Sequence, residues 1–129
     1  MSQKVLLNQK EVNIILQRLA CQLIEKHTDF SNTILVGLQP RGKFLANRLK
    51  ALLQSDYNIA NVQIGCLDIT FYRDDFRRSN KVLQASTNEM DCVVEGRNVV
   101  FVDDVLYTGR SIRAALTAIQ AYGRPSSIE

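Results

Sequence analysis

The chain has one histidine, three cysteines, two prolines and no tryptophan. The lone His27 stands where the pattern marks a helix end, and no Ser/His/Asp relay can be built around it. Cys21, Cys66 and Cys92 are odd in number and lack metal-ligand spacing, so reduced thiols in a cytoplasmic protein are the expectation. No apolar run approaches membrane-spanning length and no signal-peptide pattern opens the chain, so no membrane partner is expected. No Gly-Lys-Ser/Thr follows a strand pattern, which excludes a P-loop. Internal repeats and low-complexity segments are also missing. What remains is a chain of 129 residues, one domain by length, spanning residues 1–129. Apolar residues make up 46% and charged residues 22%, enough for a core and against wholesale disorder. A net charge of +3 leans mildly towards anionic partners such as phosphates or RNA.

The most informative stretch is Val99-Val100-Phe101-Val102-Asp103-Asp104-Val105-Leu106-Tyr107-Thr108-Gly109-Arg110-Ser111. Four apolar residues run into two adjacent acids, then a short loop, then a helical pattern. A strand apolar on both faces reads as an interior strand of a parallel sheet. Its carboxyl end is the usual ligand crevice of an open α/β sheet. The loop ends at a helix N-terminus, where N–H groups and the dipole attract phosphate. One segment therefore offers two carboxylates for hydroxyls or a metal, and a cradle for phosphate. An Asp turn with a helix cap and no ligand is the plainer alternative, but two acids beside a buried strand are costly without a partner.

Strands and helices alternate along the rest of the chain. Lys4-Val5-Leu6-Leu7 reads as a short strand or an extended arm. Asn8 and Glu11 form a capping-box pattern before a helix reaching about Lys26, with Val12, Ile15, Leu16, Leu19 and Leu23 on its apolar face. Ile14, Arg18, Cys21 and Glu25 form a second stripe that reads as solvent-facing, with Ile14 open as a subunit contact. Residues 33–38 read as a buried strand, leaving through Gln39-Pro40-Arg41-Gly42 into a helix through Phe44, Leu45, Leu49, Leu52 and Leu53. Gly37 and Gly42 flank that exit, so the backbone can approach a ligand closely, and Arg41 can grip a diphosphate bidentately. Alone, an ordinary turn with a surface arginine explains this loop equally well. Residues 62–70 read as a third strand. Residues 72–98 are long, irregular and charged near their start, which suits either a functional loop or a solvated charge cluster. Ile112, Ala115, Leu116, Ile119 and Tyr122 read as the core face of the last helix, which Gly123 and Pro125 stop. The alternation predicts an α/β fold with right-handed crossovers and a parallel sheet flanked by helices.

Residues 99–111 resemble the ribose-phosphate signature of type I phosphoribosyltransferases, which hold 5-phosphoribosyl 1-diphosphate. The resemblance implies that Asp103 and Asp104 hold the ribose hydroxyls. It implies that Val105, Leu106, Tyr107, Thr108, Gly109, Arg110 and Ser111 wrap the 5′-phosphate. Pro40, Arg41 and Gly42 would bind the diphosphate. The segment from Asp68 would open a mobile loop that closes over the sugar, with Arg73 as its cation for the diphosphate. Mg²⁺ would bind mainly through the substrate diphosphate.

Three segments resemble one branch of this family, the PyrR-type pyrimidine-operon attenuators with uracil phosphoribosyltransferase activity. They are Ile34-Leu35-Val36-Gly37 with Arg41-Gly42, Leu67-Asp68-Ile69-Thr70 with Tyr72-Arg73-Asp74-Asp75, and residues 102–110. Gly123-Arg124-Pro125-Ser126-Ser127-Ile128 also fits. Gln39-Pro40 departs from the Lys-Thr usual before Arg-Gly. The resemblance implies uracil as substrate, UMP and diphosphate as products, pyrimidine-operon mRNA as a partner and a homo-oligomer. Arg18 falls in the helix that contributes to the RNA surface of the branch, although Gln17 and Cys21 stand where a Thr and a His would be. An RNA-binding regulator with little turnover, or a transferase for another base, are the rival readings. The branch normally continues beyond Ile128-Glu129, so a form lacking the C-terminal strands and the base-binding part is the expectation.

Overall fold

In the computed structural model, which describes residues 4–39, 41–69, 90 and 92–129, the first strand is β1, Thr33–Gln39. Six of its seven residues are buried, because it lies in the middle of a parallel sheet with helices on both faces. It pairs with β2 (Gln63–Asp68) on one side and β3 (Asn98–Val102) on the other. β4 (Ser127–Ile128) adds to β3, with Asn98 opposite Ser127 and Val99 opposite Ile128. The order is β2-β1-β3-β4, with every pair parallel. The expected α/β architecture is therefore present.

Among the described residues, three helices cover the sheet: α1 (Gln9–His27), α2 (Arg41–Asp56) and α3 (Arg110–Ile119). The period of two along β1 decides which side chain meets which layer. Leu35 packs with Leu16 and Ala20 of α1 and with Ala46, Leu49 and Leu53 of α2. Ile34, Val36 and Leu38 pack on the other face with Ala114, Ala115, Ala118 and Ile119 of α3. Asn8 caps α1 as the sequence predicts. Glu11 N–H donates to Asn8 Oδ1 at 2.8 Å, and Asn8 N–H donates to Glu11 Oε1 at 3.1 Å.

Several sequence expectations need correction. Of the strand and the arm that the sequence allows for residues 4–7, the strand does not form, and Val5, Leu6 and Leu7 are exposed. Leu19 lies at the margin of the apolar face of α1 and is exposed, while Ala20 is buried in its place. Phe44 is exposed on α2. On α3, Ile112 and Leu116 are 38% and 39% exposed, and the sheet-facing stripe is Ala114, Ala115, Ala118 and Ile119. Small side chains let the helix approach the sheet closely, and reading large apolar residues as the core rotates the face. Tyr122 lies beyond the helix but packs on the same cluster.

His27 is buried at the end of α1, and its ring is a tie point. Nδ1 meets Thr33 Oγ1 at 3.0 Å and Nε2 meets Glu129 Oε1 at 3.0 Å. Lys26 Nζ lies 2.8 Å from the other Glu129 carboxylate oxygen. Lys26 first, then His27, hold the Glu129 carboxyl below its ordinary value. The contacts join α1, the start of β1 and the residue after β4. None of the three cysteines forms a disulfide among the described residues.

Candidate phosphate and sugar site

The carboxyl ends of β1, β2 and β3 finish at one edge of the sheet. Register places Gln39 opposite Asp68, and Gly37 opposite Val102. The chain leaves β3 directly into Asp103 and Asp104. Asp104 N–H donates to Asp103 Oδ1 at 2.8 Å, an interaction that shapes the turn. Asp103 is half-buried and Asp104 is exposed. The residues after them, Val105, Leu106, Tyr107 and Thr108, are all exposed.

Gly109 then turns the chain into α3 at φ 84°, a left-handed conformation that favours glycine. Among the described residues, no side chain caps this helix. The Arg110 N–H reaches Thr108 Oγ1 only at 3.4 Å. The first N–H groups of a helix have no partner within it, so the start of α3, with Ser111 half-buried on it, is a candidate place for an anion.

The loop after β1 reaches the same place from the other side. Gly42 is buried at the first turn of α2, and a Cβ there would run into the Val102 carbonyl oxygen. A Cβ on Gly37 would approach Gly42 O at 2.7 Å. These glycines let α2 sit tightly against β1 and the end of β3. The close approach they permit is thus helix on sheet, a use that glycine spacing alone does not distinguish from ligand approach. As a result, Arg41 Nη1 comes within 3.4 Å of Asp104 Oδ2. Partial desolvation pushes the Asp104 carboxyl up, but hydrogen bonding with Asp103 and the Arg41 guanidinium outweigh it and hold it below its ordinary value.

Asp103, Asp104, Thr108, Gly109, Arg110, Ser111, Arg41 and Gly42, which the sequence marks as candidates, therefore converge on one edge. Arg18 does not join them; it is exposed on α1. Pro40, Arg73 and the proposed closing loop lie outside the described residues. The Arg41–Asp104 contact is one that the sequence does not announce. It links positions 63 apart, and nothing local in either loop points to it. Among the described residues, no helix is long and apolar enough to cross a membrane.

A phosphoribosyl transferase domain family matches residues 2–128 of the chain. The chain is 44% identical over 123 residues to the Bifunctional protein PyrR of Microcystis aeruginosa, covering 95% of this chain and 68% of the relative. It is 39% identical over 126 residues to the Bifunctional protein PyrR of Syntrophobacter fumaroxidans, covering 98% and 67%. Among solved structures, it resembles a purine phosphoribosyltransferase from Pyrococcus horikoshii with a TM-score of 0.66 at 24% identity, over 95% of this chain and 71% of that one. It also resembles the hypoxanthine-guanine phosphoribosyl transferase of L. donovani with a TM-score of 0.69 at 16% identity, over 100% and 70%. The structural likenesses speak to fold, and the sequence matches to descent. With a parallel sheet whose edge carries paired acids, an uncapped helix start and an arginine loop, the chain belongs to the phosphoribosyl transferase domain family.

Proposed function

We propose that the chain forms UMP and diphosphate from uracil and 5-phosphoribosyl 1-diphosphate. The observation that carries this reading is the pairing of Asp103 and Asp104 with the uncapped start of α3 at the carboxyl edge of the sheet. Hydroxyls and a phosphate on one small molecule match that pairing. The pyrimidine base is suggested by the PyrR relatives at 36–44% identity, which share nearly all of this chain.

In this reading the carboxylates of Asp103 and Asp104 accept from the ribose hydroxyls. Thr108, Ser111 and the N–H groups of residues 109–111 hold the 5′-phosphate, with Val105, Leu106, Tyr107 and Arg110 shaping the loop. Arg41, between Pro40 and Gly42, meets the diphosphate, and Arg73 is the candidate cation from the following segment. A base nitrogen attacks the anomeric carbon. The C–O bond to diphosphate breaks, and the base loses its proton. Positive charge develops on the ribose ring, so no protein nucleophile is required. The residues contribute by fixing the sugar in line with the base and by neutralising the leaving group. Among the described residues, no group of three or more His, Cys, Asp or Glu could hold a metal ion by itself. Two acids beside a diphosphate do fit Mg²⁺, which prefers oxygen ligands and keeps substrate oxygens and waters around it. Mg²⁺ bound there would supply charge neutralisation on the diphosphate.

Pyrimidine-operon mRNA as a partner, a homo-oligomeric state and a cytoplasmic setting belong to the same proposal. Exposed Arg18 on α1 is the residue offered for RNA. The direct test is steady-state product formation with Mg²⁺, 5-phosphoribosyl 1-diphosphate and each of uracil, hypoxanthine, guanine and adenine. UMP is the expected product, with the purines turned over at least roughly ten-fold more slowly, the discrimination that about 1.4 kcal/mol of barrier provides. Turnover of a purine in preference to uracil would move the chain to another base, and no turnover with any base together with no Mg²⁺-dependent binding of 5-phosphoribosyl 1-diphosphate would reject the reading.

A further inference from the structure

We propose that Arg41 and Asp104 form an exchange pair that couples the two halves of the site. Each neutralises the other in the unliganded protein, and a ligand that takes one releases the other. The proposal rests on the reading above, in which Arg41 meets the diphosphate and Asp104 the ribose hydroxyls.

Arg41 Nη1 and Asp104 Oδ2 are 3.4 Å apart, across the gap between the loop after β1 and the loop after β3. Their side chains are 75% and 32% exposed. Solvent reaches both, so the contact is weak enough to be given up to a better partner. The backbone behind it is not free to move in the same way. Gly42 is wedged against the Val102 carbonyl, and Val102 directly precedes the two acids. Exchange therefore takes place by rotation of the arginine side chain over a fixed frame.

The consequence is a sign. Two anions in one site ordinarily oppose each other. Here a diphosphate that draws Arg41 away frees Asp104 Oδ2 for a hydroxyl. Hydroxyls that occupy Asp104 leave the whole guanidinium fork for the diphosphate. Inorganic diphosphate and ribose 5-phosphate should then bind synergistically. By reciprocity, each must tighten the other by the same factor. After transfer, departure of diphosphate returns Arg41 to Asp104 and weakens the hold on the ribose of the nucleotide.

The experiment is calorimetry with inorganic diphosphate and ribose 5-phosphate, separately and together, at fixed Mg²⁺. Wild type is compared with Arg41→Gln, Asp104→Asn and Asp103→Asn, each checked for folding by circular dichroism. In wild type, each ligand tightens the other by about two- to five-fold, the range an exposed ion pair allows. In Arg41→Gln that factor falls to about one. Asp104→Asn binds inorganic diphosphate more tightly by a similar factor, while Asp103→Asn, with the same change of charge in the same turn, does not. No mutual effect in wild type, synergy that survives in Arg41→Gln, or equal tightening in the two Asn variants would overturn the exchange and leave the site reading intact. Failure of wild type to bind either ligand would overturn both.

Discussion

Asp103→Asn and Asp104→Asn are each expected to lower kcat/KM for 5-phosphoribosyl 1-diphosphate by about ten- to a hundred-fold, if the two acids hold the ribose as proposed. The range follows from about 1.5–3 kcal/mol for a hydrogen bond to a charged group. Both side chains sit at the end of β3, a strand whose Val99, Val100 and Val102 are buried, so the turn that carries them is firmly based. An amide keeps the shape of the carboxyl group but removes its charge, so folding should be little changed. The two losses should not add, because Asp104 N–H donates to Asp103 Oδ1 and each acid shapes the setting of the other. Steady-state kinetics on the singles and the double variant measure this. Wild-type kcat/KM in the double variant would remove the acids from the site.

Gly42→Ala should damage stability and activity together. The added methyl group points into the Val102 carbonyl oxygen, and backbone there has no empty space to yield. Relief requires the first turn of α2 to move off the end of β3. Overpacking of this kind costs about 1–3 kcal/mol. The same movement carries Arg41 away from Asp104, so catalytic efficiency should fall by roughly ten-fold, as expected when a positioning group shifts by part of an ångström. Gly96→Ala is the control. Gly96 has φ 73°, but a methyl group there would meet nothing within 4 Å, so it bears only a backbone penalty of about 1–2 kcal/mol. Urea unfolding of both variants, with kinetics alongside, separates the two effects. A Gly42→Ala protein as stable and as active as wild type would mean that the α2–β3 contact does not position the loop.

The fold is legible where burial writes a strong pattern. Residues 33–38 and 99–102 are apolar on consecutive positions because both faces of the sheet are covered, and such runs mark interior parallel strands. Asn8 and Glu11 mark the start of α1 through short-range chemistry that needs no tertiary context. The face of α3 misleads for the opposite reason. Ala114 and Ala118 are buried by close packing on the sheet, and alanine does not signal burial as Ile112 and Leu116 do. The acids and the Thr-Gly loop are visible because they are contiguous. Arg41 is visible as a residue, but its contact with Asp104 depends on Gly42 meeting Val102, a long-range fit no local pattern encodes.

The proposed function turns on the start of α3 serving as a phosphate cradle. The most direct test is an amide chemical-shift titration of the ¹⁵N-labelled protein with ribose 5-phosphate. The largest shifts are expected at residues 108–112, with smaller ones at Asp103 and Asp104, and they should collapse when Gly109 is replaced by valine, since φ 84° disfavours a branched side chain. Saturable shifts confined to another part of the chain, with residues 108–112 unmoved, would contradict the assignment.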